Sequence, residues 1–148
     1  MSIITKLDIG LINLINKTSS TMDISIYNES FWHSISKGGL YSNKQGKLVC
    51  FQEVQSPMIN RDIVNSRIEI NIIEDKKVSL RVIGIIERFI IDEDEFRGYE
   101  ETINKLFEDV FLDNISIIRP YEIISDDFVF RLGSGYINTL SIQIDKVV

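Results

Sequence analysis

Alanine is absent from this chain of 148 residues, and histidine, cysteine and tryptophan occur once each. The scarcity of histidine and of cysteine each closes off a class of function. With His33 alone, the chain's hydroxyls have a single imidazole to serve as general base, and its setting between Trp32 and Ser34 reads as an ordinary strand position. One cysteine and one histidine cannot complete a structural zinc site, and a lone Cys50 excludes an intrachain disulfide. The neighbours Leu48, Val49 and Phe51 suit an inert thiol in a strand. No apolar run approaches the ~20 residues that span a bilayer, so no membrane insertion is expected. The start, MSIITKLDIGLINLINK, is apolar but carries Lys6 and Asp8, with no small-residue cleavage site after it. It does not read as a signal peptide, and the expected location is cytoplasmic.

Positive charge is also short. Sixteen basic residues face 22 acidic ones, a net charge of −6, which counts against nucleic acid as a partner because phosphate binding needs a basic surface. The acidic run 92–95 lacks the glycine and oxygen-ligand spacing of a calcium loop. Gly133-Ser134-Gly135 lacks the surrounding pattern of a phosphate loop, and Asp126 and Asp127 would diverge on a helix rather than act as paired carboxylates. No enzyme activity, cofactor or metal is expected.

What the chain does contain is isoleucine in abundance, which with the missing alanine favours β-structure and β-branched packing. At 44% hydrophobic and 26% charged residues the composition is globular, and with no repeat or linker residues 1–148 read as a single domain. Residues 1–17 are ambiguous. Residues 22–27 alternate Met22, Ile24 and Ile26 against polar neighbours, a half-buried strand. A short strand is expected over 31–35, turns at Gly38-Gly39 and 42–46, and another strand over 47–55 stopped by Pro57. The clearest hairpin pairs Ile68, Ile70 and Ile72 with Val78, Leu80 and Val82 around a charged turn, with a bulge or bend at Gly84. Asp92 caps a helix, with Glu95 in capping-box position. On that helix Phe96, Tyr99, Ile103, Leu106, Phe107 and Val110 form a face that should pack on the sheet.

The stretch 112–142 organises the remainder. Pro120 suits the first turn of a helix and Gly133 its end, and Tyr121, Ile124, Phe128 and Leu132 recur at helical spacing. A second helix over 120–132 is therefore expected, with Ile123 and Phe130 as an opposite stripe; the alternative is that 128–132 is a strand. Two apolar faces on one helix ask for a second layer, a partner subunit or a ligand.

These residues carry a resemblance. Ile117-Ile118-Arg119-Pro120-Tyr121 is similar to the Ile-Leu-Phe-Pro-Tyr element that opens the second helix in the SecB export-chaperone family. Gly133 falls where that family has a glycine, and 78–89 resembles its last strand; the similarity covers roughly 77–142. Ile123, where the family commonly has Arg, and Ser134-Gly135-Tyr136, where it has a Pro-rich turn, depart from the pattern. The resemblance implies an α+β fold, a four-stranded antiparallel sheet with two helices packed on one face, assembled as a homodimer or homotetramer. It also implies an ATP-independent holdase-type chaperone or protein-binding module that takes unfolded or partner polypeptides. A structural or assembly subunit using the same surfaces for self-association is the other expectation. Within the chaperone expectation, Met58, Ile59 and Ile63 in a long connection would bind the client, and Ile123 and Phe130 would form the oligomer interface.

Overall fold

A computed structural model describes residues 2–4, 6–7, 10, 12, 19–28, 31–54, 63–126 and 128–131. The sheet begins from alternation. β1 is Ser2–Ile4, and β2, Ser20–Tyr27, buries Met22, Ile24 and Ile26 while its other side chains stay half-exposed or exposed, Ser20 excepted. β3, Phe31–Ser42, and β4, Leu48–Glu53, follow, joined by a turn through Asn43, Lys44, Gln45 and Gly46. β5, Arg67–Glu74, and β6, Lys77–Phe89, form the expected hairpin. Its two turn residues, Asp75 and Lys76, have φ of 51° and 65°. That left-handed pair matches the right-handed twist of the flanking strands, which a common turn would splay.

Helix α1, Glu93–Leu106, starts as its sequence dictates: the Asp92 carboxylate accepts from Glu95 N at 2.9 Å. Glu95 does not return to the cap but pairs with Arg88, so only half of a capping box forms. β7, Leu112–Ser125, and β8, Phe128–Arg131, complete the order.

The strands close on themselves. Around the sheet run β7, β4, β3, β2, β5 and β6, and β6 pairs again with β7, giving a six-stranded antiparallel barrel. β8 pairs with 122–124 on the β7 edge that β4 leaves free beyond Ile118, and β1 joins β8 in parallel. The interior is filled by Met22, Ile24 and Ile26 of β2, Ile68, Ile70 and Ile72 of β5, and Leu80, Val82 and Ile86 of β6, with Leu7 and Ile12 from the N-terminal segment packed among them. Outside, α1 covers one wall. Ile103, Phe107 and the half-buried Phe96 and Tyr99 lie on Tyr41, Val49, Phe51, Ile115 and Ile117. This second layer explains why β4 is buried on both faces.

The four-stranded sheet with two helices is therefore overturned: the chain is mostly β, with a closed barrel, two further strands and one helix among the described residues. The expected second helix over 120–132 is the end of β7 and β8. Ile123 and Phe130 lie seven apart because they face each other across antiparallel strands, not because they share a helical stripe. Pro120 is tolerated inside β7 because it sits opposite Gly84 at a register shift between Ile83 and Gly84, and between the ends of β4 and β8 on the other edge. The bulge expected at Gly84 is there: a Cβ on it would stand 2.5 Å from the Arg119 carbonyl oxygen. Gly38-Gly39 is not a turn but lies within β3, where pairing with β2 leaves off and pairing with β4 begins. The Phe51 ring lies across Gly39, so a side chain there would strike it. Leu132 and Gly133 lie outside the described residues.

Candidate functional site

Of the residues that the sequence puts forward for client binding, Met58 and Ile59 lie outside the described residues. Ile63 packs half-buried against the barrel core. Ile123 and Phe130 are 0% and 4% exposed within the single chain. They belong to its own core and offer no surface for a subunit interface.

A different surface emerges at the start of β3. Residues 31–38 pair with β2 on one edge, but β4 meets the other edge only from Gly38 to Ser42. Over 31–36 that second edge meets no described strand, and alternate residues of an antiparallel strand direct both N–H and C=O outward along it. Such an edge is a template for another strand. Beside it Phe31 and Ile35 stand 62% and 58% exposed, on the face shared with His33 and Lys37.

The neighbouring side chains hold this face in place. Tyr27 and Phe31 are direct cross-strand partners with ring centroids 5.2 Å apart, and the His33 ring stacks on Phe31 at 6.3 Å. His33 Nε2 lies 2.6 Å from Asp23 Oδ1. The Arg67 guanidinium sits 5.0 Å over the Tyr27 ring and reaches Glu69 at 2.8 Å. The result is an aromatic and ionic ladder across β3, β2 and β5, ending on two exposed apolar side chains. The sequence contained these residues within a correctly expected strand, but periodicity cannot say which strand edge stays open.

The inner wall behind this edge is polar. Ser34 and Ser36 on β3 and Asn114 on β7 each bury a side-chain oxygen with no hydrogen-bond partner among the described residues. Cys50, further along the same wall, is wholly buried, and its thiol is pushed up to about 12 by loss of solvent, the Ser116 hydroxyl pulling it back by less. Such a thiol is no nucleophile. No cluster of three or more His, Cys, Asp or Glu that would suit a metal ion occurs among the described residues, and none of their helices is long and apolar enough to cross a membrane.

Comparison with protein-family models, curated proteins and solved structures finds no match. What this surface receives has to be argued from its own chemistry.

Proposed function

We propose that this chain is a polypeptide-binding module of the holdase or partner-guarding kind, which receives an extended segment as an added strand along β3 at 31–36. The observation that carries the proposal is the edge over 31–36 that no described strand pairs, flanked by exposed Phe31 and Ile35. Backbone hydrogen bonds along an edge supply affinity for any extended chain, and side-chain contacts at alternate positions supply what selectivity there is. That combination suits clients defined by being unfolded rather than by sequence. It consumes no nucleotide. The acidic surface, net −6, keeps the module soluble while it displays apolar side chains. The resemblance of 117–121 to the SecB chaperones points to the same class of activity, although Pro120 and Tyr121 lie here in a strand.

The test is suppression of aggregation of an unrelated unfolded protein. Phe31→Ser with Ile35→Ser removes two exposed side chains and should leave the fold intact, since surface changes of this kind stay within about 0.5 kcal/mol. The parent should hold the client and the double variant should not. Equal holding by both would remove β3 from the mechanism. If the parent holds nothing yet self-associates, and the double variant is monomeric by light scattering, the edge serves self-assembly of a structural subunit instead.

A further inference from the structure

Beyond the far end of β3 from this edge, a cleft of about 390 Å³ lies between α1 and the β3–β4 turn. Its volume falls in the range of ligand sites, roughly 300–1,000 Å³. Tyr41 and Tyr99 supply its aromatic lining, Glu95, Gly98 and Thr102 the helix side, and Asn43, Lys44 and Gln45 the turn side.

Gly98 is the informative residue. Inside a helix glycine costs about 1 kcal/mol relative to alanine. Among the described residues nothing demands it: a Cβ at this position would meet no atom of theirs within 4 Å. Its effect is to leave the cleft open down to the helix backbone, where Thr102 Oγ donates to the Gly98 carbonyl at 3.3 Å. The opposite wall is rigid. Asn43 Oδ1 accepts from Gln45 N at 2.9 Å and from Lys47 N at 3.0 Å, and Lys47 Nζ is anchored on Glu87 at 2.7 Å.

The charges at the rim are not equivalent. Glu95 is engaged by Arg88. Lys44 is exposed on the stapled turn and forms no salt bridge among the described residues. Tyr41 is almost fully buried, and burial first, then Tyr99 beside it, raises its phenol, which therefore stays protonated. The lining is thus two aromatic rings, an uncovered stretch of helix, a carboxylate already paired with Arg88, and one cation that has no counter-charge among the described residues. We infer that this cleft binds a small flat aromatic molecule bearing one anionic group, its ring against Tyr99 over Gly98, with the buried Tyr41 as the floor, and its anion at Lys44. The site is separate from β3 residues 31–36, so the inference stands or falls independently of polypeptide binding.

The probe is 1-anilinonaphthalene-8-sulfonate, titrated by fluorescence into the full chain, Gly98→Leu, Lys44→Glu, and the Phe31→Ser, Ile35→Ser double variant. Leucine suits a helix and has open space at 98, so this variant should fold with unchanged or raised Tm while filling the cleft. The expected result is saturable one-to-one binding by the parent, weakened about tenfold or more by Gly98→Leu and about tenfold by Lys44→Glu, where tenfold corresponds to ~1.4 kcal/mol. The β3 double variant should bind like the parent. Binding by Gly98→Leu equal to the parent's would place the dye elsewhere and overturn the site. Loss with Gly98→Leu but not with Lys44→Glu would overturn the anionic class. Because Lys44 is exposed on a turn, its variant reports on the cleft even if leucine at 98 disturbs the helix.

Discussion

At the scale of single residues, burial dictates chemistry. Cys50 ionises near 9 when unfolded and at about 12 in the fold. Above pH 9 the unfolded chain loses a proton that the folded chain keeps, so the thiol's contribution to stability is complete below pH 9 and is lost as pH rises toward 12. The slope is ~1.4 kcal/mol per pH unit for such a group. Tyr41, raised by burial, adds to the same loss above its unfolded value of 10.0. Urea midpoints measured from pH 7 to 11 should be flat at first and then fall; Cys50→Ala should fall less steeply. A parallel decline in the two would show that the thiol is not the cause. The same burial predicts that Cys50 in the native chain ignores a thiol reagent which labels it readily in denaturant. The inertness of this thiol was legible from its apolar neighbours, and so was the Asp92 cap. The exposure of Phe31 and Ile35 was not, because both obey the same alternation as a buried strand.

At the scale of elements, the outcome depends on whether local pattern has a rival. In β5 and β6 it has almost none: alternation runs to a two-residue turn, broken only by a register shift between Ile72 and Ile73 that leaves Val78 exposed, and the hairpin was legible to within a residue or two. Lys76 pays for that turn with φ of 65°, a geometry that a lysine resists and glycine accepts. Replacing Asp75-Lys76 by Asn-Gly should raise stability by about 1 kcal/mol in urea unfolding, since that pair is preferred in this turn type. No gain would mean that the strain is relieved elsewhere. α1 was legible for similar reasons, its cap and apolar face agreeing. Phe107→Ala should cost about 3–5 kcal/mol, because it removes a ring that closes the outer core edge-on to Phe51, with centroids 4.8 Å apart. A cost below ~1 kcal/mol, read from the same urea curves, would show that α1 is only loosely seated. Between Pro120 and Arg131 the local pattern misleads. Positions 121, 124 and 128 fit a helical template, while a bulge at Tyr121 and a reversal after Ser125 break the strand alternation that would have signalled β-structure. Ser125 closes that reversal, its hydroxyl accepting from Phe128 N at 3.1 Å and donating to Phe128 O at 3.3 Å.

At the scale of the whole molecule, the decisive pairings are remote in sequence. β2 with β5 and β4 with β7 bring together segments roughly 50 and 65 residues apart, and β6 with β7 closes the ring. No local period encodes which strand lies beside which, so a closed barrel could not be read from the chain even where its strands could. Closure has a functional consequence: it removes most strand edges and concentrates what remains. Beyond the end of its pairing with β4, the edge of β3 over 31–36 meets no described strand. The most direct measurement is amide hydrogen exchange with and without an excess of an unfolded client polypeptide. Strand addition predicts that amides within 31–36 slow markedly in the presence of client, while those of β5 and β6 do not change. Unchanged exchange at 31–36 in a sample shown to have bound its client would contradict the account.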